Sequence, residues 1–239
     1  MWAAFGRDLL ESYPLILRGL GDSLSLTGIM SVTGFLLGVV VFYLRNCDVA
    51  CVRLIMRGYM SFFIGMPLIV LLFLMYYGLP PWGIKLSPFT VALIGFTLNV
   101  AAYNAAYLTT AYHALDPSEL EAARAAGFRP LQVFRLITLP QVLRLSVPAL
   151  TNQVIRNLKD SSIVFLIQYS EFFARVQELA ASNFMFFRAY LFAAAVYLLL
   201  ISLLVLIARR IERQVMIPGV YVAPEAMSPA SVAGLFPHR

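Results

Sequence analysis

Four stretches of the chain run without a charged side chain for at least the roughly 20 residues that a helix needs to cross a bilayer. They are Ser23 to Leu44, Gly58 to Ile84, Leu86 to His113 and Ala189 to Ala208. A fifth, Leu145 to Ile167, has the required length but carries Arg156, Lys159 and Asp160. The pattern predicts an all-α, polytopic membrane protein with five transmembrane helices. Residues 1–22, with Arg7, Asp8, Glu11, Arg18 and Asp22, form a mixed-charge segment at or outside the membrane surface. Residues 23–213 form one membrane domain. From Pro218 onward Pro224, Pro229, Gly234 and Pro237 favour an irregular end, so 214–239 is expected to be a partly disordered tail.

Composition agrees with a bilayer setting, since 61% of the residues are hydrophobic, 13% are charged and the mean hydropathy is +0.81. The basic residues divide unevenly between alternate loops. Arg45, Arg53, Arg57, Arg124, Arg129, Arg135, Arg144, Arg209, Arg210, Arg213 and Arg239 make eleven on one side, against five on the other: Arg7, Arg18, Lys85, Arg175 and Arg188. Cytoplasmic loops carry the Lys and Arg excess, so the N-terminus is expected outside the cytoplasm and the C-terminus inside. The first apolar run is too long for a signal peptide, and no cleaved signal is evident. The same bias accounts for the net charge of +6, which argues against nucleic-acid binding. Cys47 and Cys51 lack a second pair or histidine cluster to complete a zinc set, and His113 and His238 stand singly.

Gly34 and Gly38 form a small-xxx-small pair in the first helix, with Gly28 and Ser31 close to the same face, the pattern of close helix packing. Pro67, Pro88 and Pro148 can bend or start helices where neighbours satisfy the freed carbonyls.

The connection from Ala114 to Arg144 is punctuated as folded structure. Asp116 can cap a helix beginning at Pro117, Glu119 sits where a capping box needs it, and Gly127 ends the helix. A second start follows at Pro130, with Leu131, Val133, Phe134 and Ile137 at helical spacing before Leu139 and Pro140. Such a helix pair suits either a groove on a partner or the lipid surface. Residues decide between them by resemblance. Glu121, Ala122 and Ala123, then Gly127, then Ile137, Leu139 and Pro140 resemble the EAA motif of ABC importer permeases. The order of Phe62, Phe63, Gly65, Pro67, Asn99, Tyr103, Pro148, Asn152 and the stretch from Lys159 to Ser162 is similar to the polar amino-acid branch, over about Gly19 to Arg213.

That resemblance implies a type I ABC importer permease fold in a bacterial cytoplasmic membrane, with Glu121, Ala122, Ala123 and Gly127 as the contact to a cytoplasmic ATPase within a coupling loop at 114–140. It also implies partners: ABC ATPase subunits that hold ATP and magnesium, a second permease chain, identical or homologous, and a binding protein that delivers cargo. No cofactor is expected on this chain. Helix motion between inward and outward openings would carry the cargo across.

Ionisable residues at membrane depth are functional candidates by default. Asp160, with Ser161 and Ser162 beside it, is either half of a buried structural pair or, the favoured reading, lines the pathway and meets the amino or cationic group of the cargo. Arg156, four residues before it, can pair with it along one helix face, and its role stays open between structural partner and pathway residue. Asn99 and Tyr103 are four apart on the third span, where an amide serves either as helix glue or as a contact to cargo. The candidate cargo residues are therefore Met66, Asn99, Tyr103, Asp160, Ser161 and Ser162. Ile64, Met66, Ala106, Thr109, Arg156 and Asn157 depart from the residues common in that branch, which is consistent with one half of a heterodimeric pore. Two other functions would leave signatures of their own. A secondary carrier would show an internal repeat, and a membrane enzyme would need paired acids or a nucleophile with a base. Neither signature is present, nor is a Gly-rich phosphate loop.

Overall fold

Every regular element in the computed structural model is a helix, among the residues it describes, 2–215. The order is α1 (Trp2–Arg45), α2 (Ala50–Gly65), α3 (Leu68–Gly78), α4 (Pro88–His113), α5 (Pro117–Ala125), α6 (Pro130–Val133), α7 (Leu139–Asp160), α8 (Phe172–Asn183) and α9 (Phe186–Val215). A π turn at Phe134–Thr138 joins α6 to α7, and a 3-10 stretch at Ser161–Ile167 extends α7. Four helical runs are long and apolar enough to span a membrane: Ala4–Arg45, Pro88–His113, Pro130–Ile167 and Phe186–Val215. The pair α2 and α3 makes a fifth if taken as one span, bent by 96°.

Three boundaries differ from those expected. The mixed-charge segment 1–22 is not separate, because α1 continues through Pro14 without a break. Its N-terminal half is held by packing, with Phe5 and Ile16 buried against Phe172, Val176 and Leu179 of α8 and Ala189 and Ala193 of α9. The fourth span runs back to Pro130, since the π turn bridges the arginine-bearing stretch without ending the helix. Residues 214 and 215, assigned to the tail, close α9, and the rest of the expected tail lies outside the described residues.

α4 is the central helix, with α1, α2, α3 and α7 all packed on it. Three apolar layers stack along it and beyond. The layer at the Arg45 end joins Val41, Phe42, Met60, Leu108 and Val142, the middle one joins Leu26, Met30, Leu72, Phe96 and Val164, and the third joins α1, α8 and α9. α9 turns most of its apolar surface outward, with Leu198, Leu199, Leu203 and Leu206 exposed, as a lipid-facing helix does.

The α1–α4 seam depends on two glycines. A Cβ at Gly34 would lie 2.6 Å from Val100 Cγ1, and one at Gly38 would lie 2.8 Å from Asn104 Cβ and 3.2 Å from the Ala101 carbonyl. Gly28 has nothing within 4 Å, so the close face is narrower than the sequence pattern suggested. Gly38→Val is therefore expected to lower stability by about 1–3 kcal/mol through overpacking, while Gly28→Ala leaves it unchanged or slightly raised. Thermal unfolding of the two variants in detergent, followed by size-exclusion fluorescence, checks the contrast.

Candidate functional site

The second span breaks because Pro67 cannot continue it. A helix would pair the Phe63 carbonyl with the N–H of residue 67, and proline has none. α2 stops at Gly65, and Met66 and Pro67 take extended backbone, with ψ of 130° and 131°. The freed Phe63 carbonyl does not stay empty, since Asn99 Nδ2 of α4 donates to it at 2.8 Å. Tyr59 Oη adds a second tie between the same helices, donating to the Leu98 carbonyl at 2.6 Å. Asn99 is thus the helix glue that an amide at this depth can be. Its side chain also borders the space that the break opens.

That space is a cavity of about 270 Å³ lined by Ile64, Gly65, Met66, Pro67, Leu68, Asn99, Tyr103, Arg156 and Asp160. It lies near the lower end of ligand pockets, roughly 300–1,000 Å³, as suits a small cargo. Four of the six candidate cargo residues meet here: Met66, Asn99, Tyr103 and Asp160. Ser161 and Ser162 do not. Ser161 is fully buried and donates to the Leu158 carbonyl, and Ser162 donates to the Lys159 carbonyl, both at 2.8 Å. Their hydroxyls serve the turn from α7 into the 3-10 stretch, where a tighter helix leaves carbonyls to satisfy. Arg156 and Asp160 form no ion pair within 4.0 Å; the single salt bridge among the described residues is Arg175 to Glu178. The Arg156 guanidinium instead lies over the Tyr103 ring, 5.3 Å from its centroid. A second hollow, bordered by Phe35, Val100, Val147, Leu150 and Val154, is mainly apolar and holds no charged side chain.

Asn157 is explained by packing. Tyr107 Oη donates to Gln153 Oε1, Gln153 Nε2 to Asn157 Oδ1, and Asn157 Nδ2 to Ser31 Oγ, a chain of 3.2, 2.9 and 2.9 Å that ties α4, α7 and α1. Ser31, placed with the glycine face in the sequence, has its role here.

A buried carboxylate was missed. Glu171, fully buried between the 3-10 stretch and α8, accepts from Ser23 Oγ at 2.8 Å and caps α8 by accepting from Ala174 N at 2.8 Å. Ser23 Oγ in turn accepts from Phe172 N at 3.1 Å. Burial pushes the Glu171 carboxyl above the usual glutamate range, against the opposing pull of these hydrogen bonds. An acid ahead of an apolar stretch reads as a helix cap. Its partner Ser23, 148 positions away, could not be read.

On the Arg45 side, α5 stands as a capped knob. Asp116 Oδ1 accepts from Ser118 N at 2.9 Å, which holds its carboxyl below the usual range. Gly127 has φ +84°, and its N–H and that of Phe128 return to the carbonyls of Arg124 and Ala123, a Schellman ending that needs a left-handed residue. The expected box from Glu119 is not formed. Glu119 Oε2 accepts from Gln141 Nε2 at 2.8 Å, fixing the knob to α7, and the box-like bond lies at the next start, where Gln132 Oε1 accepts from Arg129 N at 2.8 Å. Glu121, Ala122 and Gly127 are exposed, as are Phe128 and Leu131, whereas Ala123 is buried.

Residues 34–217 match the binding-protein-dependent transport system inner membrane component family, and the chain belongs to it. It is a multi-pass membrane permease subunit of an ATP-driven importer, and ATP hydrolysis falls to a separate subunit. A probable amino-acid ABC transporter permease protein of Vibrio harveyi, PatM, is 35% identical over 79% of this chain and 86% of its own. The arginine transport system permease ArtQ of Bacillus subtilis is 30% identical over 86% and 94%. The fold is similar to that in a crystal structure of an amino acid ABC transporter with histidines, at a TM-score of 0.80 and 28% identity over 86% of this chain and 96% of that one. A chain of the MetNI methionine ABC transporter shares the fold at a TM-score of 0.70 and 21% identity, over 85% and 97%.

Two outcomes follow from these bonds. Asn99→Asp keeps the shape but loses the N–H donor, so it should destabilise at least as much as Asn99→Ala, by about 1–3 kcal/mol in a thermal-unfolding series. For Glu171 the folded state holds its proton more tightly than the unfolded chain, so stability falls as pH rises through and above the usual glutamate range. Glu171→Gln should therefore gain on the wild type in melting temperature as pH is raised over that window, while Glu171→Ala loses the cap at every pH.

Proposed function

We propose that this permease carries amino acids, that the cavity at the α2–α3 break is a cargo site on its path, and that the α5 knob is its contact with a cytoplasmic ATPase. The observation that supports the cargo site most strongly is the meeting of Asp160, Arg156, Asn99 and Tyr103 with irregular backbone at membrane depth, since such backbone is tolerated where it is buried or lines a cavity. Amino-acid cargo draws support from the names of the relatives. The knob reading draws on the exposed Glu121, Ala122 and Gly127 beside exposed apolar Phe128 and Leu131, a surface that a partner groove would cover.

In the working assembly two permease chains, identical or homologous, enclose one path, two ATPase subunits bind the knobs, and ATP with magnesium stays on those subunits. A binding protein delivers cargo from outside. The basic bias of the loops supports an N-terminus outside and a C-terminus in the cytoplasm of a bacterial inner membrane. Closure of the ATPases moves the knobs, and Glu119 bonded to Gln141 passes that motion to α7, the helix that carries Arg156 and Asp160.

Glu121→Arg and Gly127→Val are expected to reduce co-purification of the ATPase several-fold, the second by straining a left-handed position that costs an L residue about 1–2 kcal/mol. Retained ATPase binding in both would remove the knob from the contact. Asp160→Asn is expected to lower amino-acid uptake by the assembled transporter in proteoliposomes by about tenfold or more, and unchanged uptake would remove Asp160 from the path.

A further inference from the structure

Arg156 is the unusual member of the cavity. It stands four residues before Asp160 on α7, the spacing at which opposite charges commonly pair with Cβ atoms about 5–6 Å apart. No ion pair forms, and neither side chain has a hydrogen bond among the described residues. The guanidinium carbon instead lies over the Tyr103 ring, 5.3 Å from its centroid. A cation–π contact takes up none of the guanidinium N–H groups in a hydrogen bond and leaves them available for a carboxylate. Lys159, the remaining charge on this part of α7, does not line the cavity. The cavity therefore offers one cation and one anion, with Met66, Pro67 and Leu68 as apolar wall.

We propose that Arg156 is a specificity-determining residue: its guanidinium holds the carboxylate of the cargo while Asp160 holds the ammonium, which restricts cargo to amino acids with no net charge. This rests on the cavity being the cargo site. An α-amino acid carries its carboxylate and ammonium on one carbon, so it can bridge two groups one helical turn apart, leaving its side chain to the apolar wall. A cationic side chain would bring a second positive charge to a space with one carboxylate, and an anionic one a second negative charge to a space with one guanidinium. Unmatched charge is costly at this depth.

The test uses the full transporter of permease and ATPase subunits, purified without the soluble binding protein so that the cavity's own preference is read. Equilibrium binding is measured for L-glutamine, L-methionine and L-leucine, for L-arginine and L-lysine, and for L-glutamate. At least one net-neutral amino acid should bind about tenfold or more tighter than the charged ones, and its methyl ester should lose a similar factor in the wild type, as expected when a charge-assisted bond is removed. Arg156→Gln should weaken the free amino acid by that factor and leave the ester unaffected, Arg156→Lys should retain part of the affinity, and Arg156→Glu should turn the preference toward arginine and lysine. Co-purification with the ATPase shows that each variant is folded, and the wild-type ratio of free acid to ester tests the carboxylate contact even where a variant is not. Arginine or lysine bound best by the wild type, equal affinity for acid and ester, unchanged affinity in Arg156→Gln, or no binding of any of the six would each overturn the proposal. Met66→Trp, which fills the cavity, and Asp160→Asn separate the two levels. If both leave binding unchanged the cavity is not the cargo site, and if both abolish it while Arg156→Gln does not, the assignment of Arg156 alone falls.

Discussion

A carbonyl without a partner is the constraint on which the centre of this protein depends. Hydrocarbon supplies no hydrogen-bond donors, so each backbone group released at membrane depth must find one within the protein. Pro67 releases the Phe63 carbonyl, and Asn99 reaches across from α4 to fill it at 2.8 Å. That bond lets a 96° bend persist where a straight span would otherwise run. The bend opens the cavity, and the cavity receives Arg156 and Asp160 from α7. One proline and one amide thus create the irregular backbone and fix the helix that borders it.

The remaining contacts make this geometry rigid. Gly34 and Gly38 bring α1 so close to α4 that a single added methyl would collide with Val100 or Asn104. The chain from Tyr107 through Gln153 and Asn157 to Ser31 binds α7 into the same unit, and Ser23 with Glu171 does so for the start of α8. Polar side chains in these bonds are satisfied by other helices, so each holds two or three elements in one register. The knob is tied to this unit through Glu119, which accepts from Gln141 of α7.

The helix boundaries of the 114–140 loop were legible, because a helix cap, a Pro at the first turn and a Gly at the left-handed end act locally. Asp116, Pro117 and Gly127 take the places their chemistry demands. Glu119 was misassigned for the converse reason, since its nearest local partner lost to Gln141, brought beside it by the return of the chain into α7. Ala123 reads as one of three motif residues yet faces inward. Ser161 and Ser162 next to a membrane carboxylate look like pathway residues, but the tightened helix after Asp160 turns their hydroxyls back to the carbonyls three residues earlier.

By itself the sequence determined the all-α membrane character, the approximate position of the apolar runs and the local fold of the knob. Those properties follow from run length and caps, which act over a few neighbouring residues or along one segment. The tertiary structure decided which charges meet and what each polar group is bonded to. Asn99 finds Phe63, Glu171 finds Ser23, and Arg156 lies over Tyr103, across separations of 36, 148 and 53 positions. Partners so far apart in the chain are chosen by helix packing, and spacing along one helix could show only that Arg156 and Asp160 share a face.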